Sequence, residues 1–228
     1  MKFYKFLFPP ANSKAGDFMK ITWLGHASFR IETSGKTIYI DPYVLPKGSP
    51  PADIILITHD HYDHCDPSKV GEIRKGDTKI ITTEKAASKL SGDIRVVKPG
   101  DSFEIEGIRI YAVDAYNLSK PFHPKGEGVG FIVESEGKRI YHTGDSDFIP
   151  EMSSLQGLTA VLIPIGGTYT MGTDDAVKAI LTMKPRIAIP MHYNFLEGLE
   201  ADANEFREKV ESQSETKVEI LEGRELEI

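Results

Sequence analysis

The sequence predicts a layered α/β domain, with two sheets packed face to face and helices outside. Three observations point there. Residues 52–58 (ADIILIT) form one continuous apolar run, the pattern of a strand buried on both faces by covering layers. The middle of the chain is a succession of short strand runs cut by turn residues, and the tail alternates helix and strand. Pattern alone leaves a three-layer α/β/α arrangement open.

The opening reads as a meander, with strands over Ile21–Leu24, Ser28–Glu32 and Thr37–Ile40, the last following the Ser34-Gly35 turn. The buried strand Ala52–Thr58 comes after a Pro-rich loop, Leu45–Pro51. Helices are predicted over Pro67–Arg74 and Thr83–Leu90, where Thr83 can cap the first turn and Gly92 follows the end. Strands return at Lys79–Thr82, Arg95–Val97, Phe103–Ile105, Ile108–Val113, Val129–Glu134 and Arg139–His142, the last pair joined at Glu136-Gly137. The tail is Ala160–Pro164, a helix over Asp174–Met183 capped by Thr173, a strand Arg186–Pro190, a helix near Ala201–Ser212 and a strand Lys217–Leu221. No internal repeat, low-complexity tract or long linker interrupts this order, so residues 20–228 read as a single domain behind an N-terminal extension, 1–19.

Asp plus Glu (34) exceed Lys plus Arg (27), a net charge of -7, so the surface as a whole repels polyanions and nucleic acid is not expected as a partner. Cys65 is the only cysteine. No intramolecular disulfide can form, a metal site must be built from histidines and carboxylates, and a cytoplasmic setting is expected. The N-terminal apolar stretch from Phe3 to Phe8 is broken by Lys5 and stopped by Pro9 and Pro10, far short of the roughly 18 apolar residues of a membrane span.

Of the seven histidines, His59, His61 and His64 lie within the run THDHYDH at 58–64. This cluster begins where the buried ADIILIT strand ends, at the carboxyl edge of a sheet, where α/β proteins place ligand sites. Imidazole nitrogen and carboxylate oxygen are donors that Zn, Fe and Mn accept, and a tight loop can aim several of them into one cavity. Metal binding is the reading these residues support.

Further motifs accompany the cluster: WLGHASF at 23–29, IDPY at 40–43, HTGDSDF at 142–148, PIGGTYTMG at 164–172 and PMHYN at 190–194. Together they resemble the metallo-β-lactamase-fold hydrolases, and within them the small metal-dependent hydrolases similar to ascorbate-phosphate lactonase. The resemblance runs from Trp23 to Asn194. It implies a four-layer αββα sandwich of the metallo-β-lactamase type. It also implies a dinuclear centre of divalent ions, Zn with Mn or Fe as alternatives, and a bridging hydroxide that hydrolyses a small ester, lactone or phosphodiester.

Carried over residue by residue, the resemblance implies that His59 and His61 bind the first metal, Asp63 and His64 the second, that Asp145 bridges both and that His192 completes the second site. The first site then needs one more histidine, between the cluster and Asp145. Either His123 or His142 can supply it; His123 is expected, because residues 117–130 form a Pro- and Gly-rich loop, whereas His142 ends a strand. Asp63 is expected to orient the nucleophile and shuttle its proton. His26 is expected behind the ligands or against substrate, and Asp41 as a brace for the metal loops. Tyr169 and Tyr193, with Tyr62, Thr170 and Asn194, lie beside motif positions where they would contact substrate or pack. Cys65 is read as a small core side chain.

A di-iron redox protein of the same fold and a non-catalytic metal-binding protein are the alternatives. The first usually carries Glu where His61 stands and an attached flavin domain. The second closes its coordination sphere with four protein ligands and needs no bridging carboxylate. A small-molecule substrate is expected and no membrane partner, while homo-oligomerisation is compatible with the family.

Overall fold

A computed structural model describes residues 18–228, so nearly all of the expected N-terminal extension lies outside the described residues. Strands β1 (Met19–Gly25), β2 (Ser28–Thr33) and β3 (Lys36–Ile40) form the expected antiparallel meander. β4 (Ala52–Ile57), β5 (Arg74–Thr82) and β6 (Asp93–Val96) then add in parallel, with helices α1 (Pro67–Ile73) and α2 (Glu84–Ala87) as crossovers.

The second sheet repeats the plan. β7 (Ser102–Ile105), β8 (Ile108–Ala115), β9 (Gly128–Ser135) and β10 (Lys138–His142) are antiparallel. β11 (Ala160–Pro164), β12 (Ile187–Met191) and β13 (Lys217–Val218) follow in parallel, crossed over by α3 (Thr173–Met183) and α4 (Ala203–Glu211). The last strand, β14 (Glu225–Glu227), returns to the first sheet beside β1. Each sheet thus has seven strands, in the orders β14-β1-β2-β3-β4-β5-β6 and β13-β12-β11-β10-β9-β8-β7.

Alternating side chains decide the layering. Ile54 and Leu56 of β4 face the second sheet, packing in one cluster with Ile110, Ala112 and Leu162. Their neighbours Ile55 and Ile57 turn outward under α1, against Val70, Ile73 and Cys65. On the far side, Val161 and Ile163 of β11 pack under α3 and α4, against Ile180, Phe206 and Val210. Three apolar clusters separated by two sheets make the αββα order, and the three-layer alternative falls. Cys65 belongs to this packing, and burial pushes its thiol up to about 11, which leaves it protonated and unreactive at neutral pH.

Several boundaries differ from expectation. Thr173 is the first residue of α3 and Gly172 occupies the cap position, because Gly172 is held extended by a bridge to Gly166. Thr83 stands at the cap of α2 without a side-chain bond to it, and that helix ends at Ala87. Effective caps come instead from Asp66 and Asp202, whose carboxylates accept from the first free N–H groups of α1 and α4. β5 starts at Arg74, which pairs with Ala52 ahead of a register shift, and the charged edge strand β14 is an addition to the predicted elements. Among the described residues, no helix is long and apolar enough to cross a membrane.

Candidate metal centre

The parallel strands of both sheets end at one edge of the sandwich, and the chain leaving each carries a polar side chain there. Asp41 follows β3, the 58–66 loop follows β4, Asp145 follows β10 and His192 follows β12. The β1–β2 turn adds His26 and the β8–β9 loop adds His123. Backbone bonds stitch these segments across the sheets: Val129 N–H donates to the Thr58 carbonyl at 2.9 Å, and His192 N–H to the His26 carbonyl at 3.0 Å.

Local backbone geometry shows how tightly this edge is determined. His26, Asp41 and His192 have φ of 50°, 47° and 55°, a left-handed conformation that costs a non-glycine residue about 1–3 kcal/mol. Two glycines allow close approaches beside the ligands. A Cβ on Gly144, whose φ is +60°, would lie 2.9 Å from the Val129 carbonyl oxygen, and one on Gly166 would lie 2.3 Å from that of His192. Gly166→Ala is therefore expected to push the His192 backbone out of place and to destabilise the fold by about 1–3 kcal/mol. Thermal melting with metal analysis checks this; an unchanged melting point and metal content would contradict it.

Hydrogen bonds on the outer side fix which ring nitrogen of each histidine faces inward. Asp41 is fully buried, and its carboxylate accepts from Thr58 N–H at 2.8 Å, Thr58 Oγ1–H at 2.7 Å and His64 Nδ1–H at 2.8 Å. Since the Thr58 hydroxyl proton is given to Asp41, Thr58 Oγ1 accepts from His59 Nδ1–H, 2.9 Å away. Asn117 Oδ1 takes His123 Nδ1–H at 3.0 Å. In His59, His64 and His123 the Nε2 lone pair is thereby left for the interior, the arrangement a metal ligand needs.

The interior atoms do not satisfy one another. His59 Nε2, His64 Nε2, His192 Nε2 and Asp145 Oδ1 are buried with no hydrogen bond among the described residues. Yet they converge: Asp145 Oδ1 lies 3.3 Å from His64 Nε2, and Asp145 Oδ2 lies 3.3 Å from His123 Nε2 and 3.2 Å from His192 Nε2. His123 Nε2 is also 3.2 Å from His61 Nδ1. Donors about 2.0–2.1 Å from a tetrahedral cation are about 3.3–3.4 Å from each other, so these spacings suit atoms that share an ion. Three overlapping groups of donor atoms lie within 4.8 Å: His59, His61 and His123; His59, His64 and Asp145; and His26, Asp63, His64 and His192. The donor set and its unpartnered atoms fit divalent metal.

The electrostatics agree. Burial pushes Asp145 up, but His192 and His64 overcome it and hold the carboxyl well below the usual range. Burial likewise works to strip His64 of its proton, and the Asp145 and Asp41 carboxylates win, holding it well above the usual histidine range, so that a proton competes with a metal ion for its Nε2. The centre is thus a well for positive charge. His59, His123 and His26 are shifted the other way, each chiefly by burial, and stay neutral and able to donate a lone pair. Asp63 is raised by burial but held down at about 2 by the hydrogen bond from His26 Nε2, at 2.9 Å.

The other expected residues fall variously around this centre. Both nitrogens of His142 are engaged by backbone, Nε2 with the Ala27 carbonyl at 2.9 Å and Nδ1 with Gly144 N–H at 3.1 Å, so it stands apart from the cluster while His123 joins it. Tyr193 faces away: it stacks on Trp23 at 5.3 Å and bonds Glu222 through its hydroxyl at 2.8 Å. Asn194 braces its own loop through Ala201, and Thr170 is buried. Tyr62 and Tyr169 line a cleft of about 630 Å³ that opens onto Asp63, His123, Asp145 and His192. Thr58, Asn117, Lys89 and Phe122 join the site in addition to the residues expected from sequence. Thr58 sits inside the histidine motif and Asn117 opens the His123 loop, but Lys89 and Phe122 carry no local signal.

Comparison with known proteins bears on the same edge. A family model described as a beta-lactamase superfamily domain matches residues 20–192. A UPF0173 metal-dependent hydrolase of Pyrococcus abyssi is 37% identical over 228 residues, covering 92% of this chain and 100% of that one. The chain belongs to the UPF0173 metal-dependent hydrolase family, within the beta-lactamase superfamily. Solved structures carry the same architecture. One from Parabacteroides distasonis superposes on this UPF0173 hydrolase with a TM-score of 0.82 at 32% identity, covering 93% of this chain and 98% of its own. Igni18, a metallo hydrolase of Ignicoccus hospitalis, does so at 0.79 and 28%, covering 92% and 98%.

Proposed function

We propose that the protein hydrolyses a small ester, lactone or phosphodiester at a paired-metal centre. The observation that carries this is Asp145, whose Oδ2 lies against both His123 and His192 while its Oδ1 lies against His64, so one carboxylate touches donors of both histidine groups. His59, His61 and His123 would hold one ion and Asp63, His64 and His192 the other, with Asp145 between them. Nitrogen and carboxylate donors suit Zn, Mn or Fe. When bound, such ions supply Lewis-acid activation of water and of the attacked carbonyl or phosphoryl oxygen.

The chain's own residues do the rest. Asp63 lines the cleft and stays ionised, so one of its oxygens can accept the hydrogen bond of the attacking water and pass its proton toward the leaving oxygen. His26 fixes that carboxylate by donating from Nε2, and its own ring is held against His192 at 4.0 Å. The Asp41–Thr58–His59 chain and the Asp41–His64 bond keep the imidazoles aimed while substrate comes and goes.

Elemental analysis of protein purified without chelator tests the reading, with about two transition-metal equivalents expected per chain. Hydrolysis of an ester, lactone and phosphodiester panel should vanish with chelator and return with Zn, Mn or Fe. A ceiling of one equivalent after reconstitution rules out the paired centre. Full occupancy with no turnover on the whole panel favours a non-catalytic metal-binding protein.

A further inference from the structure

The mouth of the cleft has an unusual surface. Among the described residues, seven large hydrophobic side chains are exposed, and Tyr62 (66%), Phe122 (42%) and Tyr169 (38%) all line this one cleft. Phe122 and Tyr169, from different loops, meet edge to face with ring centroids 4.8 Å apart. Leu196 continues the apolar wall. Leaving this much aromatic surface in water is unfavourable unless something flat covers it.

Cations, by contrast, are scarce and already committed. Among the described residues, the lining holds one ammonium, Lys89, and no arginine. Lys89 Nζ lies 2.8 Å from an Asp60 carboxylate oxygen and also donates to the Asp60 carbonyl. Lys120, two residues from Phe122, is taken by Asp147 and by the Thr170 carbonyl at 2.8 Å. Carboxylates meanwhile line the same space at Asp60 and Glu197. Among the described residues, a phosphate or carboxylate remote from the reacting bond would find no guanidinium fork or free ammonium and would face Glu197. The volume of about 630 Å³ suits a small organic molecule.

Resting on the hydrolytic reading above, we infer that the substrate is an uncharged acyl ester or lactone whose flat apolar portion is clamped by Phe122, Tyr169 and Tyr62. Phe122 and Tyr169 are the specificity-determining side chains. Hydrolysis adds water across the acyl C–O bond: the water oxygen joins the carbonyl carbon, that C–O bond breaks, and one water proton ends on the leaving oxygen.

The test compares 4-nitrophenyl hexanoate with mono(4-nitrophenyl) adipate on the metal-loaded protein. The two share a leaving group and acyl length and differ in a terminal carboxylate. kcat/KM should favour the hexanoate by about 10-fold or more, and Phe122→Ala and Tyr169→Ala should each raise its KM about 5- to 10-fold with metal content unchanged. Equal or better use of the adipate, or an unaltered KM in both variants, overturns the inference. If neither ester turns over, calorimetric titration with N-phenylhexanamide and its ω-carboxylate separates the two readings. Tighter binding of the neutral amide, weakened by Phe122→Ala, upholds the clamp for a neutral flat group and overturns only the acyl-ester assignment; no preference for the neutral amide overturns the clamp as well.

Discussion

Asp145→Ala is expected to reduce metal content from about two equivalents to one or fewer and to lower kcat/KM by about 10³-fold, the equivalent of several kcal/mol of Lewis-acid stabilisation. The side chain is almost fully buried and contributes oxygens to both groups of imidazoles, so no neighbouring carboxylate can replace it. Its loss also removes the larger of the two carboxylate charges that offset burial at His64, and takes away the anion that lies among His64, His123 and His192. Asp145→Asn keeps the shape and one acceptor oxygen and should retain a single metal with little turnover. Circular dichroism distinguishes metal loss from misfolding. Two retained equivalents, with activity within about 10-fold of the parent, would show that Asp145 is a turn residue and that the metals sit elsewhere.

Much of this site is legible in the sequence because the strongest signals are local. HxHxDH after a continuous apolar run places three imidazoles and a carboxylate at a sheet edge, and β4 bears that run as expected. The layer order is less legible. Ile54 to Ile57 are apolar without a break, so pattern says that both faces are covered but not by what; pairing with the second sheet decides that Ile54 and Leu56 face β strands and Ile55 and Ile57 face helix.

The choice between His123 and His142 turns on a contact invisible along the chain. His142 is removed from contention by the Ala27 carbonyl, 115 positions away, and His123 is recruited by Asn117, which opens the same loop but whose bond to the ring only the folded loop makes. Phe122 and Lys89 reach the cleft from loops chosen by topology alone. Element ends depart from local preference where tertiary bonds compete with it, as at Gly172, held extended by Gly166 so that Thr173 falls one position inside its helix.

Asp41 links fold and chemistry, and its replacement is expected to damage both. Asp41→Ala would leave Thr58 N–H, the Thr58 hydroxyl and His64 Nδ1–H without their acceptor in a fully buried site, a loss of about 3–5 kcal/mol and about 10 °C in melting temperature. Alanine also sits poorly at φ of 47°, which confuses strain with lost hydrogen bonding. Asp41→Asn separates the two, since asparagine tolerates this backbone. Its amide, however, must turn an NH₂ toward Thr58 N–H or toward the pair formed by Thr58 Oγ1 and His64 Nδ1, so one donor always meets another. The His64 ring then loses its fixed tautomer or its aim, and metal affinity should fall about 10- to 100-fold by competition with a calibrated chelator. The melting point of the metal-free Asn variant should fall less than that of the Ala variant. If Asp41→Asn binds metal as tightly as the parent, the outer hydrogen bonds do not aim the ligands, and the left-handed turn at residue 41 serves the fold alone.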